Sequence, residues 1–312
     1  MSAAASTTRL VVSVSGPTLR DAVGPVPDGV HFIDWDMTGP APVEHIDIVV
    51  QPYMGPTARL ANLAGTTTRL VQSQSIGYDS VHTVLPAGHV YANAASVHET
   101  STAELALALI LASQRGIPDF IQAAGEGRWA PAHYASLADR TVLILGYGGI
   151  GQAIEARLAP FEANIVRVAS TARAGTTGHI HGFDELPELL PHADIVVLVV
   201  PLNGTTTGLV DDAFLSAMPD GALLVNVARG RVVDTDAMLA HAGSGRLRFA
   251  LDVTDPEPLP DGHPLFALPN VLITPHVGGA STAMLPRMAR LLADQIERML
   301  RGDEPRNVVL RS

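Results

Sequence analysis

From Thr141 onward, short apolar runs alternate with helix-length stretches, and this alternation restricts the fold more than any other feature of the chain. The pattern predicts strands at 141–145, 165–169, 194–200, 222–226, 248–252 and 271–274, with helices at 150–159, 185–190, 211–217 and 234–242. Strands separated by crossovers of that length pair in parallel, and helices then cover both faces of the sheet. All strands of such a sheet point one way, so the loops that follow them gather at one carboxyl edge, which is where ligands bind.

The N-terminal third carries its own apolar runs, Leu10–Val14, Val30–Ile33, Ile46–Val50 and Arg69–Gln72, which suit buried parallel strands, with Pro56–Ala64 as a helix between two of them. Ser101-Thr-Ala-Glu104 has the form of a capping box, opening a helix from Thr102 to about Gln114 that is apolar nearly all round, as a buried connector would be. An amphipathic stretch from about Met284 to Arg301 follows the last strand and can pack back onto the first domain. The expected organisation is therefore two α/β domains: 1–99 with 284–312, and 100–283.

Composition narrows the possibilities. A chain of 312 residues is long enough for two cores, and a net charge of −11 argues against a nucleic-acid surface, which needs a basic stripe. The absence of cysteine excludes disulfides, thiolate metal sites and a cysteine nucleophile, and no metal site is assigned. Met1–Thr8 lacks the basic segment of a signal peptide, and Ala103–Ala112 is about half the ~20 apolar residues that a membrane span needs, so a cytoplasmic address is expected.

Thr141–Leu145 runs into Gly146-Tyr147-Gly148-Gly149-Ile150-Gly151 and then a helix. Gly146 permits a tight turn, Gly148 lets the backbone approach a pyrophosphate, and Gly151 lets helix and strand pack closely. Helix-start amides then face the phosphates. Strand, loop, helix and second strand together predict a dinucleotide site. NAD-binding chains usually carry an acid at the end of the second strand, but here that strand ends in Ser170, Thr171 and Arg173, with no carboxylate between Glu162 and Asp184. Hydroxyls and a guanidinium would donate to a 2′-phosphate that an acid would repel, so NADP(H) is favoured, with NAD(H) possible.

Three groups follow three successive strands: Arg229 after Leu223–Asn226, Glu257 after Arg248–Leu251, and His276 after Val271–Thr274. The topology brings them together at the sheet edge. Histidine suits proton exchange near neutrality, and a guanidinium can hold an α-keto acid. Arg231 is read as a surface charge, and the other eleven histidines, His31, His98 and His133 among them, as structural.

These segments resemble the D-isomer-specific 2-hydroxyacid dehydrogenases, through Gly146–Gly151, Val200-Pro201-Leu-Asn-Gly-Thr-Thr206, Asn226-Val227-Ala228-Arg-Gly-Arg-Val-Val-Asp234 and Thr274-Pro-His-Val-Gly278-Gly279. Ala250–Pro260 and the Ser170–Arg173 segment are most similar to the glyoxylate/hydroxypyruvate reductases within that family. The resemblance implies a Rossmann sheet inserted in a smaller flavodoxin-like α/β domain that binds substrate, and an NAD(P)-dependent reduction of a small 2-keto acid to the D-2-hydroxy acid. His276 is then the proton donor, Glu257 orients it and favours its charged form, and Arg229 anchors substrate and polarises its carbonyl. Val200, Pro201, Thr206, Val227, Ala228, Gly278 and Gly279 fall to the cofactor, and Asp252 to its carboxamide. Amides of Ile76 and Gly77 meet the substrate carboxylate, with Tyr53 and Met54 lining the pocket. A homodimer through the 102–115 helix and the loop after it is expected. Formate dehydrogenases fit less well, because they carry glutamine where this chain has Glu257. The same fold also admits a phosphoglycerate dehydrogenase, and a corepressor that senses nicotinamide redox state.

Overall fold

The computed structural model describes residues 10–312 apart from Thr177. They form two compact units: the described residues up to His98 together with Thr282–Ser312, and Glu99–Ser281.

In the first unit, β1 (Leu10–Val14), β2 (Val30–Asp34), β3 (His45–Val50), β4 (Thr67–Gln72) and β5 (Val90–Ala92) pair in parallel in the order β5-β4-β3-β1-β2, and the C-terminal strand Val308–Arg311 adds antiparallel to β5. This order has the flavodoxin-like pattern. The strands are largely apolar because both faces are covered. Val12, Ile48, Val50 and Leu70 enter one core with Met288, Leu292 and Ile296 of the helix Met284–Arg301. Ile46, Val49 and Val71 enter the other with Leu60 and Leu63. The last helix thus completes the first core, and each fully buried aliphatic side chain contributes about 1.5–3 kcal/mol. The segment predicted as a helix at Pro56–Ala64 is a 3₁₀ turn, Thr57–Leu63. Pro56 lacks an amide and the run is short, so the chain closes with three-residue bonds such as Arg59 N–H to Pro56 O.

The second unit contains β6 (Thr141–Leu145), β7 (Asn164–Val168), a hairpin of β8 (Arg173–Gly175) and β9 (Gly178–Ile180), then β10 (Ile195–Leu198), β11 (Leu223–Asn226), β12 (Arg248–Leu251) and β13 (Val271–Ile273). The main sheet is parallel throughout, in the order β7-β6-β10-β11-β12-β13. Leu143, Val196, Leu198, Leu224 and Phe249 face one core; Val142, Ile144, Val197, Val225 and Ala250 face the other, against the helices Glu99–Gln114 and Gly149–Leu158. The strand order reverses between β6 and β10, which creates the crevice that such sheets use for ligands.

One expected cap is not used. The helix begins at Glu99, so Ser101 lies inside it, and its hydroxyl pairs with that of Ser281 at 2.6 Å. Asp211 and Asp234 do cap their helices; Asp234 accepts from the amides of Asp236 and Ala237 at 2.9 and 3.0 Å. Such a cap contributes about 1 kcal/mol, and the second fixes where the loop from Arg229 must end. Among the described residues no helix is long and apolar enough to cross a membrane.

Candidate active site

The glycine loop sits at the crevice between β6 and β10. Gly146 has φ +110°, and a Cβ there would lie 2.6 Å from the carbonyl carbon of Val199. A Cβ on Gly151 would lie 2.2 Å from the Gly146 oxygen. Both positions therefore exclude side chains. Around Gly148 nothing stands within 4 Å of a built Cβ, and the residue is exposed at the start of the helix Gly149–Leu158. Tight packing at the first and third glycines, with open space at the second, fits a pyrophosphate on the helix-start amides.

Tyr147 in this loop is tethered in a way the sequence does not reveal. Its hydroxyl donates to Glu155, and Arg167 of β7 forms two hydrogen bonds to the same carboxylate, with its guanidinium 6.0 Å from the ring centroid. The three residues come from a loop, a helix and a strand, so no local spacing announces them. Around the end of β7, Ser170, Thr171 and Arg173 are exposed, and among the described residues the Arg173 guanidinium reaches only the carbonyls of Thr171 and Tyr147, at 3.3 and 3.4 Å. Such long bonds leave its guanidinium available to an anion.

Thr206 is 2% exposed, and its hydroxyl donates to Pro201 O at 2.6 Å. It shapes the loop after β10. Val200, Val227 and Ala228 are buried as well, and their side chains back the loops rather than face solvent.

At the reacting edge, β11, β12 and β13 are direct neighbours, so their three loops lie side by side. Arg229 is half-buried; buried Asn226 donates to its carbonyl at 3.0 Å and accepts from the Ala228 amide at 3.0 Å, setting the turn that presents the guanidinium. Gly230 is required next, because a Cβ there would lie 1.9 Å from the Thr254 oxygen. The Arg229 loop thus lies directly on the loop that carries Glu257. His276 Nδ1 and Glu257 Oε1 are 2.5 Å apart. That contact leaves Nε2 as the nitrogen able to serve a substrate. His276 has φ +53°, a conformation costing about 1–3 kcal/mol for a side chain of this kind. Its amide donates to Asp252 O at 2.8 Å, which holds it there.

Asp252 is buried, and its carboxylate accepts from Thr274 Oγ1 at 2.7 Å, the Val277 amide at 2.9 Å and the Gly278 amide at 2.8 Å. A Cβ on Gly278 would lie 2.9 Å from that carboxylate. Most of the acceptor capacity of Asp252 is therefore used to fold the His276 loop, a role that the sequence alone ranks below contact with the cofactor.

Burial pushes the Glu257 carboxyl up, but the His276 hydrogen bond and charge, the Thr254 amide and the Arg229 guanidinium together outweigh it and hold the carboxyl below the usual range. A group lowered on folding adds stability that is complete above the unfolded value, near ~4.3, and is lost as pH falls through the lower folded value. Thermal unfolding should therefore show that the Tm advantage of the parent over Glu257→Gln present at about pH 5 shrinks as pH falls below about pH 4. An advantage unchanged at about pH 3 contradicts the assignment.

In the first unit, the loop after β4 is held from both sides: Asn93 donates to Ile76 O at 2.9 Å, and buried His98 bonds Gln74 O at 2.6 Å. Among the described residues neither the Ile76 nor the Gly77 amide donates to a protein acceptor. Tyr53 stacks on His98 with ring centroids 5.7 Å apart, and Met54 is 60% exposed with φ +55°.

A dinucleotide-binding sheet whose carboxyl edge carries an imidazole–carboxylate pair beside a fixed guanidinium defines a nicotinamide-dependent oxidoreductase. The family profile described as D-isomer specific 2-hydroxyacid dehydrogenase, NAD binding domain, matches residues 107–278. Glyoxylate reductase/hydroxypyruvate reductase from Homo sapiens is 32% identical over 289 residues, covering 86% of this chain and 88% of that protein. Glyoxylate reductase from Pyrococcus horikoshii is 34% identical over 256 residues, 78% of this chain and 76% of that one. A D-isomer specific 2-hydroxyacid dehydrogenase from Xanthobacter autotrophicus, solved with NADPH, superposes with TM-score 0.82 at 29% identity, covering 97% of this chain and 98% of the other. The chain belongs to the D-isomer-specific 2-hydroxyacid dehydrogenase family, as an NAD(P)-dependent enzyme.

Proposed function

We propose that this protein reduces glyoxylate, hydroxypyruvate or a 2-keto acid of similar size to the D-2-hydroxy acid, with NADPH as the preferred cofactor. The observation that carries the reading is the 2.5 Å contact between His276 and Glu257 on loops packed against the Arg229 turn. The bound nicotinamide supplies the hydride. Protonated His276 gives its Nε2 proton to the keto oxygen, and Glu257 at Nδ1 orients the ring and stabilises its cationic form. Arg229 holds the substrate and stabilises negative charge developing on that oxygen. In the first unit, the open amides at Ile76 and Gly77 suit a substrate carboxylate, with Tyr53 and Met54 as further substrate contacts. Gly278 and Gly279 allow the chain to pass close to the cofactor.

Cofactor preference rests on Ser170, Thr171 and Arg173 at a strand end that lacks an acid. Losing one charge-assisted contact of about 1.5–3 kcal/mol should raise KM for NADPH about 10- to 100-fold in Arg173→Ala, with KM for NADH little changed. Parallel titrations with both cofactors check this; equal effects on the two would remove Arg173 from phosphate recognition.

The protein acts as a homodimer in this reading. The apolar sides of the helix Glu99–Gln114 are used inside its own unit, so the contact moves to Ile117, Phe120, Ile121, Trp129 and Tyr134, where Ile121 is 67% and Trp129 97% exposed. An exposed apolar patch of this kind marks an association surface. Sedimentation should give a dimer for the parent chain and a monomer for Ile121→Asp; a monomeric parent would refute the assignment.

A further inference from the structure

The β8–β9 hairpin carries a cluster that hydride transfer does not use. His179 lies on β9 and His181 just past its end, so the two-residue period of a strand puts both imidazoles on one face. Between them Ile180 is 4% exposed and points into the core, which fixes the opposite face as theirs. At Gly182 the chain turns, and Glu185 returns to the pair. Its Oε1 accepts from the Gly182 amide at 2.8 Å, and its Oε2 lies 2.6 Å from His181 Nδ1. His179 Nε2 stands 3.9 Å from Oε1, and the two imidazole rings meet edge-on with centroids 4.6 Å apart. One donor atom from each residue falls within 4.8 Å of the other two.

A simple ion pair does not account for this arrangement. One imidazole and one amide already satisfy Glu185. The second imidazole is turned on the same carboxylate from beyond hydrogen-bond range, and among the described residues the His179 side chain makes no hydrogen bond. Tetrahedral ligands with bonds of about 2.0–2.1 Å stand about 3.3 Å apart, so an ion needs only small side-chain adjustments. Two imidazoles and a carboxylate suit zinc, nickel or copper(II), whereas calcium and magnesium require oxygen donors.

We propose that His179, His181 and Glu185 bind one divalent ion of the zinc class, cross-linking β9 to the turn at Gly182. The site lies beyond β7, at the opposite edge of the sheet from the His276 loop. Arg173 pairs with Ile180 across the hairpin and so projects from the other face, which leaves it clear of the ion.

The test is zinc titration by calorimetry on tag-free, chelator-treated full-length chain, with copper(II) paramagnetic resonance as a second readout. His179→Ala is the informative variant, because its side chain is exposed and holds nothing else in place. The expected result is one saturable zinc per chain, kept in His276→Ala and weakened in His179→Ala by at least the roughly 10- to 100-fold that loss of an outer-shell partner costs. Bound copper should show two imidazole nitrogens in the parent and one in His179→Ala. Equal zinc affinity in the parent and His179→Ala, loss of the site in His276→Ala, or no saturable binding would each overturn the proposal.

Discussion

Replacing His276 by asparagine is expected to lower kcat for keto-acid reduction about 100- to 10,000-fold, the range that a positioned proton donor supplies, while NADPH binds nearly as before. Asparagine is the better test than alanine, because position 276 has φ +53° and asparagine tolerates that conformation. The loop backbone, fixed by the amide bond to Asp252 O, can therefore survive while acid–base chemistry is lost. In the proposed site the cofactor phosphates fall to the loop between β6 and its helix, several strands away, so a fluorescence titration with NADPH should hardly move. Turnover within about tenfold of the parent would show that the keto oxygen takes its proton from elsewhere.

Arg229→Lys should reduce kcat/KM for the keto acid roughly 100- to 1,000-fold, comparable to removing a donor from an oxyanion site. The substitution keeps the positive charge, so a loss of this size would be a loss of geometry. Lysine carries no planar fork, and Asn226 and Gly230 are arranged to aim one. Steady-state kinetics should show KM for the keto acid rising together with a fall in kcat, with NADPH affinity unchanged. A lysine variant as active as its parent would mean that charge alone matters at this position.

Strands are the easiest elements to read from this chain, because strands buried on both faces must be mostly apolar. Their ends are harder: 199 and 200 extend the apolar run but lie past the end of β10, where the Val199 amide still donates to Leu145 O at 2.8 Å and both residues back the Gly146 turn. Ser101-Thr-Ala-Glu104 has every residue of a capping box, but the helix starts at Glu99 and Ser101 bonds Ser281, a partner far along the chain that local spacing cannot announce. Arg229, Glu257 and His276 are legible because each follows a strand and parallel topology does the gathering. What holds them is hidden for the same reason in reverse. Gly230 is needed because of a backbone oxygen at Thr254, and Asp252 folds the His276 loop through two amides and a hydroxyl. His179 and His181 read as ordinary surface histidines until the turn at Gly182 brings Glu185 beside them.

Following NADPH absorbance with glyoxylate or hydroxypyruvate reports proton-coupled hydride transfer to a 2-keto acid. The prediction is steady cofactor oxidation with an equimolar yield of the 2-hydroxy acid, faster with NADPH than with NADH. A chain that binds NADPH but turns over no 2-keto acid would contradict it.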